Sequence, residues 1–238
     1  MLEAIHLTKT YRTGVRALRD LTMRVSDGEL FCLLGANGAG KTTTLSCFLD
    51  FTSPSSGSAW VDGIPVAERP MDAKRRCGYV AESVAVYETL SAMENLCYFA
   101  RLCGVRLSRH VAERALTAAG LDAFQQTRPV RQYSKGMRQK LAIAIAISRG
   151  AGNLLLDEPT SGLDPTAAND LMELLVRLRE EGCAILMSTH DVFRAARYAD
   201  CIGIMRDGVL VRELAPRTHD RATVEAIYAE CMGDAVPA

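Results

Sequence analysis

The sequence predicts an α/β protein with a mainly parallel sheet, an N-terminal antiparallel β subdomain and an inserted α-helical subdomain. Three observations predict it. In the last third of the chain short apolar runs alternate with amphipathic helical stretches, the pattern of a parallel sheet with helices on both faces. In the first third, Asp27-Gly28 and Asp62-Gly63 are turn dipeptides between apolar stretches, and both favour hairpins. In the middle third helix start and stop signals take over, from about residue 83 to 150.

The elements follow in order. Residues 30–34 are an apolar run that ends at Gly35, consistent with a buried strand, and a helix over residues 41–51 follows the Gly-rich loop. Ser91 and Glu94 have capping-box spacing. Leu96, Phe99, Leu102 and Cys103 then fall on one face until Gly104 stops the helix. A second helix is expected from Ser108 to Gly120. Residues 141–147 alternate Ile with Ala, a strand-like period, but alanine is the best helix former and a helix buried all round is apolar all round. Helix is the reading adopted. Residues 153–156 form a short apolar strand. Asp164-Pro165 opens a helix that buries Leu171, Leu174, Leu175 and Leu178, and Gly182 lies just past its end. Strands return at 183–188 and 201–205. One domain is therefore expected over 1–238: residues 1–82 and 151–215 form the core with its β subdomain, and 83–150 the helical subdomain. Residues 216–238 are a short tail with one helix through Ile227.

Composition narrows the partners. Basic and acidic side chains balance at 28 each among 238 residues, which argues against a nucleic-acid-binding surface, normally marked by a basic excess. No apolar run approaches the roughly 20 residues that span a bilayer. Glu3 and His6 stand where a secretory signal would be basic and then apolar. A cytoplasmic chain is expected, reaching any membrane through a partner. The eight cysteines form no CxxC pair and are expected to be reduced thiols packed as small apolar residues.

The chemistry concentrates in four places. Gly35-Ala36-Asn37-Gly38-Ala39-Gly40-Lys41-Thr42 fits GxxxxGK[ST], the P-loop, with Thr43 next in line. Its glycines let successive N–H groups turn inward onto phosphate oxygens at a helix N-terminus. Lys41 is expected on the β- and γ-phosphates and the Thr42 hydroxyl on Mg2+. Residues 153–158 form a buried strand that ends in carboxylates, Asp157 for the metal and Glu158 for the attacking water. The third is Tyr133-Ser134-Lys135-Gly136-Met137-Arg138-Gln139, the fourth Ser188-Thr189-His190-Asp191.

Taken together these stretches resemble the ATP-binding cassette (ABC) family, specifically its nucleotide-binding subunits. Residues 133–139 look like the family's signature, usually written LSGGQ. Asp157-Glu158-Pro159-Thr160-Ser161-Gly162-Leu163-Asp164 matches the Walker B end and D-loop without a gap, and His190 matches the switch histidine. Tyr11 sits where the family stacks an aromatic on adenine. The resemblance covers nearly the whole chain in the family's order. It implies an ATPase with Mg2+ as cofactor, working as a head-to-tail homodimer with two ATP molecules at the interface. Each ATP would lie between one copy's P-loop and the other copy's Ser134 and Gly136. It further implies separate integral membrane permease subunits, a location on the inner face of the membrane through them, and a lean towards export. His190 would hold the γ-phosphate and the water in line.

Four positions in three stretches depart from the family pattern. Glu82 stands where a Q-loop glutamine is usual, and a carboxylate there can still accept a metal-bound water. Lys135 and Met137 replace a glycine and a glutamine of the signature, with Ser134 and Gly136 kept. Asn153 occupies a usually apolar strand position, where a buried amide needs hydrogen-bond partners.

Overall fold

The chain begins with two antiparallel strands, β1 (Leu2–Thr10) and β2 (Arg16–Val25), in the computed structural model, which describes residues 1–215 and 221–233. β2 buries Leu18, Leu21, Met23 and Val25 and exposes most of its other residues, as a sheet with one wet face requires. β3 (Leu30–Leu34) is buried along its whole length. The P-loop and α1 (Lys41–Phe48) follow, then the hairpin of β4 (Ser56–Val61) and β5 (Ile64–Pro65), α2 (Pro70–Arg76) and β6 (Cys77–Val80). A helical stretch intervenes: α3 (Ala92–Leu102), α4 (Arg109–Ala118), α5 (Ala123–Thr127) and α6 (Lys135–Ile147). The last elements are β7 (Asn153–Asp157), α7 (Pro165–Glu180), β8 (Ala184–Thr189), α8 (Val192–Tyr198), β9 (Cys201–Arg206), β10 (Val209–Leu214) and α9 (Arg221–Gly233).

Two sheets result. A four-stranded antiparallel sheet has the order β2-β1-β4-β5, and a six-stranded sheet the order β10-β9-β3-β8-β7-β6. Every pair in the second is parallel except β10 on β9. α1 lies between the sheets, and Leu45, Cys47 and Phe48 join Leu2, Leu7, Phe31 and Leu186 in one cluster. The other face of the large sheet is continuous with α3, α4, α6 and α7 in a second cluster. The helical stretch therefore enters the chain between β6 and β7 and packs on the sheet that brackets it.

Several expectations hold. Asp62-Gly63 turns the β4–β5 hairpin. Ser91 and Glu94 form a reciprocal capping box, Ser108 and Asp164 cap α4 and α7, and residues 141–147 are helical within α6. Others need correction. Asp27-Gly28 turns the chain but makes no hairpin, because β2 and β3 lie in different sheets. The five buried residues of β3 need cover on both faces, which only the inner sheet supplies. The helix expected over 41–51 stops at Phe48. Asp50 adopts φ +49° and Phe51 N–H reaches back to Ser46 O at 2.9 Å, a Schellman ending. On α3 the buried set is Ala92, Asn95, Leu96 and Ala100, whereas Leu102 is 65% exposed and Cys103 exposed. The last turn of that helix runs past the core it packs against. α9 extends to Gly233, beyond the helix expected through Ile227, while 216–220 and 234–238 of the expected tail lie outside the described residues.

β10 was not foreseen, although Asp207-Gly208 between two apolar strands is the same hairpin signal read at Asp62-Gly63. Asn153 finds the partners its burial demands: Nδ2 donates to both carboxylate oxygens of Asp62 at 3.1 and 3.0 Å and to Arg76 O at 3.3 Å. Its Oδ1 accepts from the Met1 amino group at 2.7 Å.

Candidate nucleotide site

The loop between β3 and α1 exists in its form because two of its glycines have no room for a side chain. A Cβ on Gly35 would stand 2.5 Å from Met205 O, and one on Gly40, at φ +107°, 2.5 Å from Ala17 O. Both obstacles are backbone atoms that cannot step aside. Gly40 opens α1 without a side-chain cap, so the first-turn N–H groups are left for whatever enters the loop. The loop is braced from behind by the β9–β10 turn. Gly208 N–H donates to Ala39 O at 3.0 Å, and Arg19 N–H donates to Gly208 O at 2.8 Å. Arg206 in turn donates through Nη1 to Cys231 O of α9 at 2.7 Å.

Lys41 is 6% exposed and folds back over the loop. Its Nζ donates to Gly35 O at 2.8 Å and Ala36 O at 3.3 Å, and pairs with Glu158 Oε1 at 3.3 Å. Asp157 Oδ1 accepts from Thr42 Oγ1 at 3.1 Å and from Ser188 Oγ at 2.5 Å. Glu158 leaves β7 at φ +46°, an uncommon conformation for a residue with a side chain. Ser188 holds it there by accepting the Glu158 N–H on Oγ (3.0 Å) and O (3.2 Å). Glu158 Oε2 accepts from His190 Nδ1 at 2.9 Å, so that nitrogen carries the hydrogen. Oε1 is buried and, apart from the ion pair, makes no hydrogen bond. Burial pushes the Tyr79 hydroxyl above its ordinary pKa, and the nearby Asp157 charge adds to the rise.

A cavity of about 570 Å3 opens over these groups, a volume suited to a ligand of nucleotide size. Asn37, Gly38, Ala39, Gly40, Thr42 and Thr43 form its loop side, with Lys41, Asp157 and Glu158 behind them. Tyr11 and Glu82 are on its wall as well, and the Tyr11 hydroxyl lies 3.4 Å from Thr43 Oγ1. Gly35 and His190 are not on its lining; Gly35 O accepts from Lys41, and His190 contacts Glu158. Ser134 and Gly136 are not at this cavity. Ser134 Oγ caps α6 by accepting Met137 N–H at 3.3 Å, and Gly136 is buried, where a Cβ would stand a tight 3.1 Å from the Ala167 methyl. Val15, Ala17 and Asp207 also line the cavity and were not singled out in the sequence. The Asp207-Gly208 turn signal was the available pointer to the last of them.

The oxygens of Thr42 and Asp157 are hard donors already side by side, which suits Mg2+ held by one or two protein groups together with phosphate and water. Among the described residues no cluster of three or more His, Cys, Asp or Glu could hold a metal alone.

Comparison with known proteins bears on this geometry. The family model described as ABC transporter matches residues 18–161, more than half of the chain. The Nod factor export ATP-binding protein I of Cupriavidus pinatubonensis is 36% identical, over 98% of this chain and 72% of the relative. The phosphonates import ATP-binding protein PhnC 2 of a Synechococcus strain is 32% identical, over 97% of this chain and 91% of the relative. The dimeric post-hydrolysis state of the ATP-binding cassette MJ0796 bound to ADP and Pi superposes with a TM-score of 0.80 at 27% identity, covering 91% of this chain and 99% of that one.

Proposed function

The chain belongs to the ABC transporter family and is an ATP-hydrolysing subunit, and we propose that it works as a head-to-tail homodimer that drives a separate membrane permease, in the direction of export. The observation that carries the residue roles is the chain of contacts Lys41–Glu158–His190, at 3.3 and 2.9 Å.

In the structure Lys41 neutralises Glu158 and is held by two carbonyls. The polyphosphate of ATP competes for that ammonium, and Lys41 then turns its charge to the β- and γ-phosphates. Glu158 loses its counter-charge and keeps His190, so Oε1 becomes free to accept a proton from a water molecule. His190, oriented by Glu158, presents its other nitrogen towards the γ-phosphate side. The N–H groups of Gly38, Gly40, Lys41, Thr42 and Thr43 and the loop positions Gly35, Asn37 and Ala39 hold the phosphates, and Tyr11 stacks on the base. Thr42 and Asp157, with Glu82, would hold Mg2+, which when bound neutralises phosphate charge. Ser134 and Gly136 complete the site of a second copy, because the start of α6 offers a helix N-terminus.

A groove of about 340 Å3 lined by Val80, Ala81, Val84, Phe99, Ile145 and Arg149 lies where Glu82 meets the helical stretch. It suits a cytoplasmic helix of the permease. No helix among the described residues is long and apolar enough to cross a membrane, so attachment through such a partner is the membrane link proposed. The likeness to the phosphonate-import protein keeps import as the second reading of direction.

Glu158→Gln tests the assignment. It should reduce phosphate release by at least about 100-fold while ATP binding persists, and light scattering should detect an ATP-dependent dimer. Turnover at the wild-type rate would remove Glu158 from the mechanism.

A further inference from the structure

Glu82 belongs to two cavities. It lines the one that holds Lys41, Asp157 and Glu158, and it lines a second, of about 340 Å3, together with Lys135, Arg138 and Gln139. The backbone that carries it is held from the second side. Gln139, fully buried on α6, donates through Nε2 to Glu82 O at 3.0 Å and to Ala81 O at 3.4 Å. The two cations of the second cavity differ. Arg138 is engaged by Glu88 at 2.9 Å, whereas Lys135 makes no ion pair among the described residues. The Lys135 ammonium stands against the turn that follows Glu158, 3.4 Å from where a Gly162 Cβ would lie.

Glu82 is a further carboxylate on a cavity wall that carries Asp157, Glu158 and Asp207 as well as the cations Arg16, Arg19 and Lys41, and it makes the potential more negative where a polyanion must bind. A lysine ammonium in the neighbouring cavity offsets it, and low-dielectric walls make the offset felt over several ångströms. We propose that Lys135 is a positioning residue for nucleotide binding: its charge balances Glu82 across the shared cavity, while Gln139 fixes the segment that sets Glu82 between the two. Two of the departures from the family pattern, Glu82 and Lys135, are then one feature. The inference rests on the reading of the Lys41 cavity as the nucleotide site.

The test is a double-mutant cycle on the full chain, read as the affinity for a fluorescent ATP analogue with Mg2+. Lys135→Met should weaken binding about three- to ten-fold, and Lys135→Arg should restore most of it. In a Glu82→Gln background, Lys135→Met should have little effect, and the coupling should shrink at about 0.5 M salt. An equal loss in both backgrounds would overturn the proposal, since Lys135 would then act on the nucleotide directly or through folding. No loss in either background would overturn it as well. A wild-type chain that fails to bind the analogue would instead refute the reading of the cavity.

Discussion

Replacing Lys41 by methionine tests the site before any nucleotide arrives. The Lys41 and Glu158 side chains are 6% and 13% exposed and 3.3 Å apart. With an effective dielectric constant near 20, the attraction at that distance is about 5 kcal/mol, and desolvation of both groups offsets much of it. Removing only the ammonium is a different matter. Glu158 Oε1 would be left buried with neither a hydrogen bond nor a counter-charge, and stranding one member of a buried pair costs about 3–5 kcal/mol. Solvent at the cavity mouth reaches Glu158, so the lower end applies, about 3 kcal/mol. For a chain of this length that corresponds to a fall in Tm of about 6–12 °C in scanning calorimetry without nucleotide. Adding Glu158→Gln removes the stranded charge and should return more than half of the loss. A single variant that melts within about 2 °C of wild type, or a double variant no more stable than the single, would refute the coupling.

Two further outcomes concern the scaffold. Asn153→Leu should destabilise by about 2 kcal/mol, visible in urea denaturation, because it fills a buried position with a group that satisfies neither Asp62 nor Arg76 O. The Glu94 carboxyl is held below its ordinary pKa of 4.5, first by the Ser91 N–H it accepts and then by the Ser91 hydroxyl. A depressed carboxyl contributes stability that is full above its unfolded value and is lost as pH falls through its folded one. Ser91→Ala should therefore weaken the acid-side fall in stability below about pH 4.5, and an unchanged acid limb would argue against this contact.

What could be read from the residues, and what could not, divides along a physical line. The P-loop was legible because Gly35 and Gly40 are written in the sequence as glycines, although the atoms that forbid a side chain there, Met205 O and Ala17 O, are brought in by the fold. The caps at Ser91, Ser108 and Asp164 were legible because each satisfies an N–H only three residues away, and a local requirement leaves a local mark. Asp27-Gly28 misled because a turn fixes the reversal of the chain and not the strand that will receive it. Periodicity puts Leu96 and Leu102 on one face of α3 but does not reveal where the core ends, and Leu102 lies beyond that end. Lys41 and Glu158 were each identified by motif, yet their ion pair joins distant parts of the chain and exists only once β3 and β7 flank β8. Glu82 and Lys135 stood out one by one as departures, and only the fold gives them a common cavity.

The brace behind the loop has a thermodynamic consequence. Gly208 holds Ala39, and Arg206 of the same turn holds the end of α9, so the shape of the phosphate cradle is settled when the chain folds. A ligand entering it has little backbone left to immobilise, and its affinity is spared the entropy of ordering a mobile loop. Occupancy of the cradle is then communicated mainly by charge and side-chain rearrangement around Lys41, Glu158 and Glu82.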